Sequence, residues 1–251
     1  MDIKITHFVE GAKAATGVAV IIDVFRAFSL ECYLVNNHVS KIIPIASKEE
    51  AYQLKEKHPD FLLIGERDGI KLPGFDYGNS PWSIAEIDFT GKTVVHTTSA
   101  GTQGLHGASR VGEANSRLKM GSTDDESLSD KVQTDVVLTG SLVNAKAIAD
   151  FIRSNHPNKI ITLVSMGWNG VEPAEEDDIC AEYIKALLLN RDFNISEVIE
   201  KLKHGGGKKF FMPELNHIFP REDFFLCTDV DKFNFVLQYE DGFIKPIFLS
   251  F

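Results

Sequence analysis

The chain contains 251 residues, with 26 Lys and Arg against 36 Asp and Glu, and its formal net charge is −10. No segment approaches the roughly 20 consecutive apolar residues of a membrane-spanning helix, and no basic cluster offers a surface for nucleic acid. The first ten residues lack the apolar core of a signal peptide, and the three cysteines are widely spaced. We therefore expect a cytoplasmic protein with free thiols that binds small molecules and neither nucleic acids nor membranes.

Short apolar segments rich in Val and Ile predict strands along the chain. They lie at 18–24, 39–45, 61–64, 92–95, 135–139 and 159–164. Segments with helical periodicity lie between them, such as 47–57, which opens with the capping pattern of Ser47 and Glu50. Continuous apolar character is typical of strands covered on both faces. We predict a three-layer α/β/α fold with a mostly parallel or mixed sheet and a ligand site at the carboxyl ends of its strands.

We expect a single domain over 1–251, with two segments that depart from this alternation. Residues 112–133 are polar and predict an insertion, which is either a solvated loop or a lid over the site. Residues 205–251 begin with a glycine run and hold ten of the 18 Phe residues, so they predict a packing element that adds strands or a cap. A homo-oligomer is compatible with the sequence, although no heptad pattern indicates one.

Asp23 and Arg26 directly follow the most apolar predicted strand. A carboxylate at the end of a buried strand needs a partner, because an isolated buried charge is costly. The spacing would let Asp23 hold a metal while Arg26 grips an oxyanion with its planar fork. An ion pair between Asp23 and Arg26 is the structural alternative, and the sequence favours neither.

Two further strand ends carry glycine, hydroxyl and charged side chains. The loop at 65–81 includes Arg67 and Asn79, and its end is also typical of a helix start with Ser80 as the N-cap. The turn at 97–104 combines small and hydroxylic residues whose backbone N–H groups could surround an oxyanion. An ordinary capped helix start explains the second pattern equally well.

Six carboxylates fall within the eleven residues from Glu172 to Glu182. Acidic residues in the first turn of a helix are favoured by its dipole, so a solvated acidic cap is the simplest interpretation. Oxygen ligands close to a phosphate are also what Mg²⁺ requires. Cys180 lies among apolar neighbours in this segment, and we expect it to pack in the core.

Several phosphatase classes are excluded by the absence of their motifs. No cysteine is followed six residues later by arginine, which a cysteine phosphatase requires, and Asp23 is followed two residues later by Phe25 instead of a second aspartate. The histidines show no zinc-binding spacing.

Taken together, the strand-end motifs resemble the 2-phosphosulfolactate phosphatase family, the ComB-like proteins of coenzyme M biosynthesis. The segments that carry this resemblance are IDVFRA (22–27), GER (65–67), GFDYGNSP (74–81), TTSAGT (97–102), GSLVNA (140–145), and ED leading to CA (176–181). They appear in the family's order. The turn at 97–102 departs from the expected Thr-Thr-Asn-Gly-Thr, since it is one residue longer and lacks the asparagine.

The resemblance implies an α/β/α hydrolase that uses Mg²⁺ to hydrolyse a small anionic phosphomonoester such as 2-phosphosulfolactate. Asp23, Glu176 and Asp177 would be metal ligands or their immediate support. The residues expected to hold phosphoryl oxygens are Arg26, Thr98, Ser99, Gly101 and Thr102, while Arg67 and Asn79 would bind a second anionic group of the substrate. The altered turn keeps one alternative open, a non-catalytic protein that binds small anions on the same scaffold.

Overall fold

The computed structural model describes residues 1–118 and 134–250. These residues form a sheet of ten strands in the spatial order β1-β8-β2-β7-β9-β10-β3-β6-β4-β5. The strands are β1 (Asp2–His7), β2 (Gly17–Ile22), β3 (Lys41–Pro44), β4 (Leu62–Arg67), β5 (Ile70–Lys71), β6 (Thr93–Thr97), β7 (Thr134–Gly140), β8 (Ile160–Ser165), β9 (Phe235–Glu240) and β10 (Phe243–Phe248).

Eight α-helices accompany the sheet in the described part of the chain. They are α1 (Phe8–Lys13), α2 (Ala27–Asn36), α3 (Lys48–Lys57), α4 (Gly101–Leu118), α5 (Ala145–Asn155), α6 (Glu175–Leu188), α7 (Ile195–Leu202) and α8 (Arg221–Cys227). Short 3₁₀ helices lie at Trp82–Ile84, Leu142–Asn144, Gly206–Phe211 and Pro213–Leu215. None of these described helices is long and apolar enough to cross a membrane.

The sheet consists of two parallel blocks joined by a hairpin. Strands β1, β8, β2 and β7 pair in parallel with their neighbours, as do β3, β6 and β4. The hairpin of β9 and β10 lies between the blocks and pairs antiparallel with β7 on one side and β3 on the other. The short strand β5 pairs antiparallel with β4 at one edge of the sheet. The predicted mixed α/β sheet is therefore confirmed.

Strand β2 shows why the fold has three layers. All six of its residues are buried. Val20 and Ile22 pack with Ile148 of α5 and Ile184 of α6, whereas Ile21 belongs to a second cluster that includes residues of α2 and α4. Because successive side chains point to opposite faces of a strand, this division places helices on both faces of the sheet.

All six strands predicted from the apolar segments are present, within a few residues at each end. The predicted cap of α3 is also present, since the Ser47 side chain accepts a hydrogen bond from the Glu50 N–H. Helix α4 continues to Leu118, so the first residues of the predicted insertion at 112–133 belong to this helix, and the rest of it lies outside the described residues. The Phe-rich end adds strands to the sheet and also places α8 against α2.

Candidate active site

A narrow polar cavity lies where the ends of β2, β4, β6 and β8 meet the start of α6. Four carboxylates contribute to its wall, namely those of Asp23, Glu66, Glu176 and Asp177. All four side chains are buried. The predicted gathering of polar residues at strand ends thus takes the form of an acidic cavity built by segments from both parallel blocks.

Asp23 follows β2 and accepts two backbone hydrogen bonds. Its Oδ1 accepts from the Ala27 N–H at 3.2 Å, and its Oδ2 accepts from the Gly101 N–H at 3.1 Å. Burial raises the pKa of Asp23 to about 7, and the nearby Glu66 and Glu176 also raise it against the effect of the two donors. A carboxyl group with this pKa changes its charge near neutral pH, and a bound cation would favour its ionised form.

The first turn of α6 supplies Glu176 and Asp177 in different environments. Asp177 accepts hydrogen bonds from the Val24 N–H at 2.8 Å and the Gly167 N–H at 2.9 Å, so it joins the loops that follow β2 and β8. Glu176 makes no hydrogen bond to the side chain or backbone of another described residue, and Lys209 Nζ lies 3.9 Å from its Oε1. Glu176 is thus the carboxylate with the most unused acceptor capacity.

Burial raises the pKa of both acidic side chains in this turn. The pKa of Asp177 is raised further by the charges of Asp23 and Glu176, while the Lys209 ammonium partly opposes the rise at Glu176. The four buried acids share this cavity with Arg26, and a bound cation would favour their ionised forms.

Glu66 and the turn after β6 are joined by hydrogen bonds. The Ser99 N–H donates to Glu66 Oε1 at 2.8 Å, and the Gly69 N–H donates to Glu66 Oε2 at 2.6 Å. Thr98 and Thr102 each accept the other's backbone N–H at 3.2 Å, which caps the start of α4. The N–H groups of Ser99 and Gly101, which we expected to face an oxyanion, therefore donate to Glu66 and Asp23, and the two threonines serve the helix start.

Arg26 lines the cavity, but its ionic partner is Asp223 of α8. Arg26 Nη1 donates to Asp223 Oδ2 at 2.8 Å and to the Ile218 carbonyl at 2.9 Å, and Nη2 donates to the Gly69 carbonyl at 3.1 Å. Arg26 thus pairs with Asp223 and not with Asp23, which was the structural alternative considered from the sequence. These bonds occupy three of the five guanidinium N–H groups, and the other two have no hydrogen-bond partner among the described residues.

The two residues assigned to a second anionic group have different positions. Asn79 is buried and lines the cavity. Arg67 does not line it, since its guanidinium donates to the carbonyls of Glu66 and Ala46 and to the Thr97 hydroxyl. Successive residues of a strand point to opposite faces, so Glu66 and Arg67 of β4 cannot both face the cavity. The arrangement gives no support to substrate binding by Arg67.

Lys209 stands beside the cavity and was not singled out from the sequence. Its Nζ lies 4.7 Å from the ring centre of Trp168 and 5.4 Å from that of Phe219. Both rings contribute to the cavity wall. The adjacent Gly206 is close to the acidic turn, because a Cβ there would lie 2.5 Å from Glu176 Oε2. The glycine run at 205–207 was visible in the sequence, but its contact with Glu176 depends on the fold.

The donor set fits a hard divalent cation such as Mg²⁺. Its chemistry is that of carboxylate oxygens, and Glu176 and Asp23 retain acceptor capacity. Within the described residues, no group of three or more His, Cys, Asp or Glu side chains is positioned to hold a metal ion. Mg²⁺ is usually held by one or two carboxylates together with water and substrate phosphate. Asp23 and Glu176 would supply the carboxylates of such a site.

The fold and the cavity define an α/β protein with an acidic small-molecule site. A sequence model described as 2-phosphosulpholactate phosphatase matches residues 4–122 and 115–242. The chain belongs to the 2-phosphosulfolactate phosphatase family, whose members are phosphoric monoester hydrolases. The predicted family is confirmed.

Several relatives match over almost the full length of the chain, and each is named as a probable 2-phosphosulfolactate phosphatase. The protein of Clostridium perfringens (strain SM101) is 28% identical over 98% of this chain and 96% of its own length. The protein of Bacillus subtilis (strain 168) is 27% identical over 98% of both chains. The protein of Thermoplasma acidophilum is 28% identical over 90% of this chain and 87% of its own length.

Proposed function

We propose that this protein is a Mg²⁺-dependent phosphatase that hydrolyses 2-phosphosulfolactate or a closely related 2-phospho-hydroxy acid. The observation that carries the proposal is the buried acidic cavity at the strand ends, in a chain that matches this phosphatase family over most of its length. The names of the relatives suggest the substrate. The three cysteines are buried and unpaired, which suits the reducing conditions of the cytoplasm.

Asp23 and Glu176 would hold the cation, and Asp177 would support them by fixing the loops after β2 and β8. When bound, Mg²⁺ neutralises phosphate charge and lowers the pKa of water. Arg26 would donate its two unoccupied N–H groups to phosphoryl oxygens. Asp223 fixes the guanidinium from behind, so these donors are oriented before the substrate arrives.

A non-catalytic protein that binds small anions is the second candidate. The hydrogen bonds of the altered turn favour it, because the Ser99 and Gly101 N–H groups donate to carboxylates and are not free for a transition-state oxyanion. A catalytic role for the cavity then depends on the cation and Arg26. The two candidates differ in whether phosphate is released.

Phosphate release from 2-phosphosulfolactate, 2-phospholactate and simple alkyl phosphates would be measured with malachite green, with Mg²⁺ or with EDTA. We expect phosphate release from 2-phosphosulfolactate and 2-phospholactate, which carry a second anionic group, when Mg²⁺ is present and none with EDTA. The Asp23→Asn variant, which keeps the size but removes the charge, should lose well over tenfold in kcat. Glu172→Gln is the control, because Glu172 is exposed. Binding of these anions without any phosphate release would favour the second candidate.

A further inference from the structure

A chain of three buried polar side chains leads from α2 to the cavity. Glu31 Oε1 lies 2.8 Å from His96 Nδ1, and His96 Nε2 lies 2.8 Å from Asn79 Oδ1. Glu31 and His96 are completely buried, and Asn79 is 4% exposed. Neither Glu31 nor His96 contributes to the cavity wall, so the network reaches the cavity only through Asn79.

The orientation of the Asn79 amide determines where the protons lie. The amide Oδ1 of Asn79 is an acceptor, so His96 Nε2 must carry a proton and donate it. One further proton is shared between Glu31 Oε1 and His96 Nδ1, whichever of the two atoms holds it. Burial raises the pKa of Glu31, and its hydrogen bond to His96 opposes the rise. With its Oδ1 held by His96, Asn79 must turn its NH₂ group away from the histidine.

The NH₂ group of Asn79 has no hydrogen-bond partner among the described residues, and it is not one of their fully buried unsatisfied atoms. Asn79 lines the acidic cavity and also an adjoining groove, whose other residues include Lys71, Trp82 and His217. The acidic cavity is suited to the cation and the phosphoryl group. The groove, with its basic side chains, is suited to the end of the substrate that is not transferred.

We propose that Glu31 and His96 are positioning residues that hold Asn79 so that its NH₂ group donates to the second anionic group of the substrate, a sulfonate or carboxylate. This inference rests on the proposed function and names residues that determine its specificity. The Glu31 carboxylate keeps His96 in its hydrogen-bonded state, and the His96 Nε2–H prevents the Asn79 amide from rotating to present its oxygen. An amide oxygen in the groove would repel an anion.

A purely structural network would explain the same burial, but it accounts for less of the geometry. Apolar side chains of similar volume would stabilise a buried position at least as well as an ionisable pair. The second carboxylate oxygen of Glu31 also has no partner, which adds a cost. The free end of the network faces the cavity and not the core.

The test compares two replacements of His96. In His96→Gln the side-chain amide reaches the position of Nε2 and can still donate to Asn79, whereas in His96→Asn the shorter side chain reaches only the position of Nδ1. We expect His96→Asn to raise KM for 2-phosphosulfolactate about 10-fold or more, the effect of losing a hydrogen bond to a charged group. The value of kcat should stay within about threefold, because the interaction is with the group that is not transferred. His96→Gln should restore most of the affinity.

Three controls separate positioning from a loss of folding. Isopropyl phosphate lacks the second anionic group, so its KM should not change in His96→Asn. In an Asn79→Ala background, His96→Asn should cause no further rise in KM, although it should still lower the melting temperature. His106→Asn removes a half-buried histidine that contacts the Pro44 carbonyl, and it should leave KM unchanged. Equal losses on both substrates, or an additive effect in the double variant, would overturn the proposal.

Nitrogen-15 NMR of the histidine rings tests the network without any turnover. We expect His96 Nε2 to carry a proton in the wild-type protein, and an unprotonated Nε2 would overturn the assigned orientation of Asn79. If the wild-type protein releases no phosphate from any substrate, the proposed function fails, while the NMR result still decides the orientation of Asn79.

Discussion

Arg26 carries its charge inside the protein, and its partner lies 197 residues further along the chain. The side chains of Arg26 and Asp223 are 3% and 0% exposed. Asp223 also accepts hydrogen bonds from the Ser80 hydroxyl and the Trp82 N–H, both at distances below 3 Å. A single carboxylate thus holds the arginine and the loop that carries Asn79 in place.

Asp223→Ala should therefore destabilise the protein strongly. It leaves the Arg26 guanidinium buried without a counter-charge, a change that typically costs about 3–5 kcal/mol in the free energy of unfolding. Urea unfolding would measure this cost. Asp229→Ala is the matched control, because Asp229 is an exposed aspartate whose pair with Lys232 should contribute less than about 1 kcal/mol. Similar losses in both variants would contradict the importance of the buried pair.

The raised pKa of Asp23 predicts how the stability of the metal-free protein depends on pH. Its pKa rises from 3.8 in the unfolded chain to about 7 in the folded protein, because burial disfavours the charge. The folded state therefore binds the proton more tightly, and this contribution to stability is lost as the pH rises through about 7. Glu176 and Asp177 change in the same direction.

In EDTA, the melting temperature should thus fall as the pH rises from about 5 to about 7, between the two pKa values of Asp23, and the fall should be smaller in Asp23→Asn. Adding Mg²⁺ at pH 8 should raise the melting temperature of the wild-type protein, since a ligand of the folded state stabilises it. The comparison with the variant isolates the contribution of Asp23, because the rest of the chain is the same in both proteins. A melting temperature that rises with pH in EDTA would contradict the interpretation of Asp23.

At the level of elements, the acidic residues at and just before the start of α6 fall into two groups. Glu176 and Asp177 are buried at the cavity, whereas Glu172 and Glu175 are exposed. The solvated acidic cap suggested by the sequence applies to the exposed members only. Because the helix begins at Glu175, its first turn directs two successive carboxylates toward the strand ends.

Glu176→Gln should weaken Mg²⁺ activation by about tenfold or more with little change in stability, since Glu176 is the carboxylate with the most unused acceptor capacity. Asp177→Asn should lower the melting temperature as well, because an amide can accept only one of the two N–H donors of Val24 and Gly167. A Mg²⁺ titration of phosphate release and a thermal melt on each variant would separate the two roles. Identical behaviour of both variants would contradict the distinction.

The sequence predicts the interior strands well because they are continuous apolar runs. Strand β1 lies at the edge of the sheet, and its alternation of exposed and half-buried residues is a weaker signal that was not assigned. The order of the strands was not predictable, since the hairpin of β9 and β10 inserts between two blocks that precede it in the chain. Register between distant segments depends on packing that a local pattern does not contain.

The same limit applies to the site. The positions of Asp23, Glu176 and Asp177 at one cavity follow from the rule that the ends of neighbouring strands meet. The partners of the site residues do not follow from this rule. Asp223, which pairs with Arg26, and Lys209, which lies beside Glu176, both belong to the Phe-rich end. The sequence places Arg67 in the same loop as Asn79, which suggests a role in substrate binding. Side chains of β4 point alternately to its two faces, and the Arg67 guanidinium donates to the Thr97 hydroxyl outside the cavity.

For the molecule as a whole, the last fifty residues have two structural roles. The hairpin joins the two parallel blocks into one sheet, with Val236 and Leu237 of β9 completely buried. The segment before it supplies Lys209 and Asp223 to the site. Neither block can form its native sheet edge without the hairpin, because β7 and β3 would each lose a neighbouring strand.

This arrangement predicts that both blocks unfold together in a single transition. Trp82 begins the 3₁₀ helix that follows β5, and Trp168 lies after β8, so each follows a strand of a different block. In urea, the fluorescence of Trp82→Phe and of Trp168→Phe should give coincident unfolding curves once each is corrected for the stability of its variant. Leu237→Ala should lower the free energy of unfolding by about 2–5 kcal/mol through loss of buried contacts in the joining hairpin. The loss of unfolding free energy should be the same whichever tryptophan reports it. An early transition seen by one tryptophan alone would show that the hairpin does not couple the blocks.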